Sequence, residues 1–227
     1  MRSASAPQTG LSRDSIWHQP RVWLGAFALC VVLVTFSVAF VDRPVALFSH
    51  AVIGRHPIFF DMQAPPNLLA PAAAVLVVGL GLSQMFGRVP RRAERVALTA
   101  SVALIVATAL KDHLKYVFGR AWPETFIHNN PSLIGDGTYG FFWFHGGPEF
   151  ASFPSGHTTV AAAVATVVGC AYPRLKPLCW LLVAVVVIGL LGMDYHFVGD
   201  MIAGGFLGGA VGLCATSLSG TAMGQPR

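Results

Sequence analysis

Six apolar stretches, near residues 22–41, 67–86, 96–114, 158–172, 177–193 and 201–218, constrain this chain more than any other feature. A bilayer core takes about 20 apolar residues as a helix. Within it, only structures that satisfy their backbone hydrogen bonds internally persist. The pattern therefore predicts an all-α, polytopic membrane helix bundle with six transmembrane helices. The fourth and fifth stretches are short, and Pro173-Arg174-Leu175-Lys176-Pro177 separates them. Composition agrees, because only 11% of the 227 residues are charged and 54% are hydrophobic. A soluble domain carries about a quarter charged residues. The same figures exclude a disordered or fibrous chain. The first stretch is too long for the core of a cleaved signal peptide, and no clean small-x-small site follows it.

Lys and Arg set the orientation, since cytoplasmic loops collect them. With six spans, both termini share one side with the loops near 87–95 and 173–176. That side holds ten of the fifteen basic residues, while eight of the ten acids fall on the other. Both termini are therefore expected in the cytoplasm. The expected layout is a tail at 1–21, a six-helix membrane domain at 22–218 and a tail at 219–227. The longest outward loop, 115–157, is rich in aromatics and turn formers, which suits a functional loop and an interfacial aromatic belt alike. The net charge of +5 does not point to nucleic acid, because no basic run is interleaved with aromatics. Cys30, Cys170, Cys179 and Cys214 all lie in apolar stretches without metal-ligand spacing, and read as packing residues.

Ionisable residues beside membrane spans are functional candidates, and three clusters fall on the outward side. One runs from Lys111 to Pro123, one from Ser152 to Thr158 and one from Asp194 to Asp200. Pro154-Ser155-Gly156-His157 opens a helix, whose free N–H groups and dipole favour an anion such as phosphate. Ser155 suits either a cap or a hydroxyl donor, and Gly156 permits close backbone approach. His196 and Asp200 stand four apart, on one face of a helix. A carboxylate on one imidazole nitrogen fixes the tautomer and frees the other nitrogen as base, nucleophile or ligand. Lys115 and Arg120 supply cationic donors for phosphate. Together these parts describe phosphoryl transfer. A two-His-one-carboxylate metal site at His157, His196 and Asp200 is the competitor. It ranks lower because the nearby Lys and Arg repel a cation. A serine triad ranks lower still, because no Gly-x-Ser-x-Gly elbow is present.

At these residues the chain resembles the phosphatidic acid phosphatase type 2 superfamily, whose pattern is Lys-x6-Arg-Pro, Pro-Ser-Gly-His and Ser-Arg-x5-His-x3-Asp. The second block matches at 154–157, and the catalytic half of the third matches at His196 and Asp200. The resemblance implies that His196 is the nucleophile, forming a phosphohistidine, that Asp200 orients it and that His157 protonates the leaving group. It assigns phosphate binding to Lys115, Ser155 and Gly156, with no metal and no cofactor. Two positions depart from the pattern: Trp122 and Leu190 stand where it has arginines. Arg120 is the expected substitute, and Lys111, one helical turn before Lys115, is a weaker one. The resemblance implies an integral membrane phosphatase acting on a lipid phosphate at the periplasmic face of a bacterial inner membrane. The alternatives are a phospholipid-binding protein without catalysis, and a lipid phosphotransferase using the same residues. The expected partners are the lipid phosphate substrate and membrane lipids.

Overall fold

A computed structural model describes residues 19–220, and the tails expected at 1–21 and 219–227 lie almost wholly outside them. The elements are α1 (Pro20–Phe36), α2 (Asp42–Phe48), α3 (Pro57–Gln63), α4 (Pro65–Met85), α5 (Arg92–Phe118), α6 (Gly156–Ala171), α7 (Lys176–Gly192) and α8 (Val198–Ser219). Among the described residues there is no β-strand, and the molecule is an all-helical membrane protein. Five helical stretches are long and apolar enough to cross a bilayer: Pro20–Ile53, Pro57–Met85, Arg92–Phe118, Pro173–Gly192 and Val198–Ser219. The sixth apolar stretch, α6, is a shorter helix. It packs against α4, α5, α7 and α8, so it fills the middle of the bundle, with Ala162, Ala163 and Val167 fully buried. The outer helices instead expose large apolar side chains, including Phe27, Phe40, Leu68 and Val75, which suits a lipid environment.

Local chemistry explains the helix ends. Proline opens α1, α3, α4 and α7, where its missing N–H costs nothing. Glu94 accepts from the Arg91 backbone N–H at 2.8 Å at the start of α5. Ser155 caps α6, its Oγ accepting from the Thr158 N–H. Asp200 Oδ2 accepts from the Phe197 N–H at 2.9 Å at the start of α8. Gly119 ends α5 at φ +53, and a Cβ there would collide with the Phe142 carbonyl. That turn sends the chain into the long loop.

The first span extends beyond its expected end at residue 41. Two π-helical turns, Ser37–Val41 and Ser49–Ile53, carry α1 through α2 as one helical stretch. At 1.5 Å per residue the stretch is about 50 Å long, well over the hydrocarbon core. Asp42 and His50 therefore sit on a helix at its far end, not on a loop. The outward loop likewise begins at Gly119, since α5 keeps Lys115 in helix.

The pair α6 and α8 forms the centre of the bundle. Gly204, Gly208 and Gly212, one per turn of α8, face the backbone of α6. A Cβ on Gly204 would lie 2.6 Å from the Ser155 carbonyl oxygen, and one on Gly212 would lie 2.8 Å from that of Ala163. Small residues at this spacing let membrane helices approach backbone to backbone. The Ser155 N–H also donates to the Asp200 carbonyl at 3.0 Å, so the starts of α6 and α8 are tied together. At the opposite end, Arg92 Nη2 donates to the Ala171 carbonyl at 2.9 Å. This brings the basic segments near 87–95 and 173–176 to one end of the bundle. The four cysteines are free thiols, and Cys179 packs with Ala165 and Val183 between α6 and α7.

Gly208→Val is expected to force α6 from α8 and to lower stability by about 1–3 kcal/mol. Gly209→Ala, whose Cβ would meet only ordinary contact, should be tolerated. Thermal unfolding of both variants in detergent micelles checks the difference.

Candidate active site

A cavity of about 480 Å³ opens at the end of the bundle where α5 finishes and α6 and α8 begin. Helix α4 contributes Asn67, α5 contributes Lys111 and Lys115, and α6 contributes Gly156 and His157. Thr108 of α5, and Tyr195 and His196 in the turn between α7 and α8, add to the polar lining. The remaining wall is largely apolar, from Pro66, Ala70, Val160, Trp122 and Phe126. The two lysines lie one helical turn apart on the same face of α5, as the i, i+4 spacing requires. Lys111 pairs with Asp112, and Lys115 donates to the Ala151 carbonyl while its ammonium stands 5.4 Å from the Trp122 ring centroid.

His196 is buried, and its Nδ1 lies 3.4 Å from Asp200 Oδ2. Ser152 Oγ donates to that same carboxylate oxygen at 2.7 Å. The Trp122 ring packs against the imidazole with centroids 5.2 Å apart. Nδ1 is thus engaged, and Nε2 is the ring nitrogen left for chemistry. Burial pushes the His196 imidazole below its ordinary pKa, and Asp200 opposes this. On the other histidine, Nε2 lies 2.9 Å from Asn67 Oδ1. An amide oxygen only accepts, so in this contact His157 Nε2 carries a proton.

Behind Asp200 lies a fully buried ion network. Arg120 Nη1 donates to Asp200 Oδ1 at 2.5 Å, and its Nη2 donates to Asp42 Oδ2 at 2.6 Å. All three side chains are fully shielded from solvent. Burial disfavours the guanidinium charge, but Asp200 and Asp42 outweigh it and hold its pKa above the ordinary value. Aromatic faces surround the cation, with Phe197 at 4.4 Å and Phe141 at 4.9 Å from Arg120 Cζ. Asp42 Oδ1 accepts from the Gly199 N–H at 2.9 Å, so both carboxylates sit at the positive end of α8.

Of the residues expected from sequence, His157, His196, Lys115 and Gly156 line one cavity, and Asp200 stands directly behind His196. Two are placed otherwise. Ser155 is fully buried and spends its hydroxyl on the α6 cap and on Thr158 Oγ1 at 3.0 Å. Arg120 does not line the cavity, because both of its Nη groups are committed to carboxylates. Lys111, the weaker substitute, does line it. Leu190, at the other arginine position, is packed among Val186 and Met201. Sequence reasoning passed over Asp42, Asn67 and the role of Ser152. Asp42 carried a signal, being an acid directly after an apolar stretch. Asn67 opened the second apolar stretch and Ser152 the second polar cluster, but no motif spacing singled either of them out.

The family model for the PAP2 superfamily matches residues 96–223, more than half of the chain. The chain belongs to the PAP2 superfamily. No curated protein and no solved structure matches it. PAP2 proteins are generally phosphatases acting on phosphate esters, so the cavity lies in a multi-pass membrane protein of a phosphatase family. The PAP2 match begins at Val96, so α1 to α4, which bring Asp42 and Asn67, lie outside it.

Asp42→Ala leaves the Arg120–Asp200 pair but takes the acceptor from the buried Gly199 N–H and the shorter of the two acceptors from Arg120 Nη2. Leaving buried donors without their acceptors costs about 1–3 kcal/mol each. The variant is expected to unfold at markedly lower temperature than the parent in detergent, measured by the change in Trp fluorescence.

Proposed function

We propose that this protein is a membrane lipid-phosphate phosphatase working through a phosphohistidine. One observation carries the reading: two histidines and two lysines converge on one cavity, with His196 held on Nδ1 by Asp200. The Nε2 lone pair of His196 attacks phosphorus, and the bond from phosphorus to the leaving oxygen breaks. His157, entering the reaction as the imidazolium, gives its Nε2 proton to that oxygen and becomes neutral. In the second half, His157 takes a proton from water, the hydroxide attacks phosphorus and the P–N bond breaks. The N-phosphorylated imidazolium is cationic while Nδ1 keeps its proton, and the Asp200 carboxylate offsets that charge. Lys111 and Lys115 neutralise the phosphoryl oxygens, and positioning with charge stabilisation supplies most of the catalysis in such reactions.

The nucleophile is an imidazole, so the chemistry proceeds without a metal at phosphorus. Lys111 takes the place of the arginine absent at Trp122, and Arg120 acts as a positioning residue through Asp200. The apolar wall between α4, α5 and α6 favours a lipid phosphate, either a monoester or a diphosphate. The basic loops at the far end of the bundle favour a cytoplasmic placement for that end. The cavity then opens on the periplasmic face of a bacterial inner membrane, with both termini in the cytoplasm across six spans.

Phosphate release from a panel of lipid phosphates in mixed micelles tests the reading. His196→Ala is expected to abolish release, and His157→Ala to lower kcat by about 10²–10⁴-fold. Lys111→Ala, which removes a charge-assisted contact of about 1.5–3 kcal/mol, should raise KM by about 10–100-fold. Turnover that survives chelation of the folded protein supports metal-free chemistry, and loss that a divalent cation restores equally in the parent and in His50→Ala contradicts it.

The pH profile gives a second check. His196 must be neutral to attack, and burial holds it below its ordinary value against the pull of Asp200. The acid limb of kcat/KM is therefore expected below the ordinary imidazole value of about 6.5. In Asp200→Asn the opposing carboxylate is gone, so the limb should move to still lower pH while kcat falls.

A further inference from the structure

A second polar cluster stands apart from the residues of the proposed reaction. His50 comes from the π-helical turn after α2, Glu124 from the long loop and Asp194 from the turn before His196. His50 Nδ1 lies 3.2 Å from Glu124 Oε2 and 3.4 Å from Asp194 Oδ2. All three potential ligand atoms fall within 4.8 Å of one another. Asp194 is the unexplained member. Its side chain is fully shielded from solvent, its ion-pair partner is the His50 imidazole at 3.4 Å, and neither carboxylate oxygen accepts a hydrogen bond of good geometry. Ser49 Oγ, on the same turn as His50, donates instead to the Leu191 carbonyl at 2.7 Å. A buried carboxylate opposed only by a half-exposed imidazole is costly, whereas a cation at the cluster would satisfy it.

We propose that His50, Glu124 and Asp194 form a structural site for a divalent zinc-type ion. The donor set, one imidazole nitrogen and two carboxylate oxygens, suits zinc and leaves its fourth position open to water. Zinc–ligand bonds of 2.0–2.2 Å in a tetrahedron place donors about 3.3–3.6 Å apart, close to the two separations from His50. The two carboxylates supply the charge a divalent ion needs. An ion here joins the helical stretch from α1, the long loop and the α7–α8 turn. Glu124 is two residues from Trp122 and Asp194 two residues from His196, and those two rings pack together. The site therefore staples the loop over the catalytic histidine without touching phosphorus.

Zinc content and thermal stability test the proposal, using the full chain purified in detergent, stripped with chelator and dialysed. With zinc at about 100 times its Kd, one ion per chain and a Tm rise of about 5–10 °C are expected. His50→Ala, which alters a half-exposed side chain and should fold, and Asp194→Asn are both expected to lose the ion and the shift. His113→Ala, an exposed histidine on α5, should keep both. Absence of bound zinc in the parent overturns the site, as does an equal Tm rise in His50→Ala and the parent. Stabilisation by magnesium or calcium but not by zinc overturns the choice of ion.

Discussion

The site depends on a buried guanidinium held between two carboxylates. Arg120 reaches Asp42 on one side and Asp200 on the other, with all three side chains removed from water. Desolvating such charges is expensive, and the arrangement persists only with close geometry and further hydrogen bonds. Those are present: Asp42 also receives the Gly199 N–H, and Asp200 receives Ser152 and the Phe197 N–H. Two carboxylates against one guanidinium leave one negative charge in excess. That excess faces His196 through Asp200 Oδ2, where the ring becomes cationic once phosphorylated in the proposed reaction. A cation locked in this way positions the nucleophile and is unavailable to clamp substrate. The lysines on α5 take that task in this reading.

Backbone packing then sets the two histidines at one cavity. His157 belongs to the first turn of α6, and His196 lies two residues before α8. The α8 glycines bring those helices together more closely than side chains would permit. The tie from the Ser155 N–H to the Asp200 carbonyl fixes their register at the site end. Helix α6, shorter than the five long apolar stretches, packs against α4, α5, α7 and α8 and has its N-terminus at the cavity. The long loop reaches the site through Trp122, whose ring contacts both the Lys115 ammonium and the His196 imidazole.

Much of this was legible in the sequence because membrane chains carry few charges. Apolar length marked the helical stretches, and the motif spacing drew Lys115, Gly156, His157, His196 and Asp200 to one place. Asp42 escaped because nothing local tells a buried acid from an interfacial one. Its partner is 78 residues away, and only the fold brings the two together. The same blindness made Arg120 look like a phosphate ligand, since sequence gives its proximity to the motif but not the direction of its side chain. The extension of the first span past residue 41 was hidden for a related reason. Asp42 and Arg43 read as a loop boundary, whereas burial of Asp42 against Arg120 keeps the segment helical through its π turns. Ser155 fits both readings available from sequence, and packing against Thr158 selects the cap.

The central claim is that His196 Nε2 carries the phosphoryl group during turnover. The most direct measurement is to quench the protein in alkali during steady-state hydrolysis of a lipid phosphate and to locate the modification by mass spectrometry. Phosphate on His196, absent in His196→Ala, is the predicted result. Phosphate on Ser152, Ser155 or His157, or turnover with no phosphoenzyme under conditions that stabilise phosphohistidine, would contradict the account.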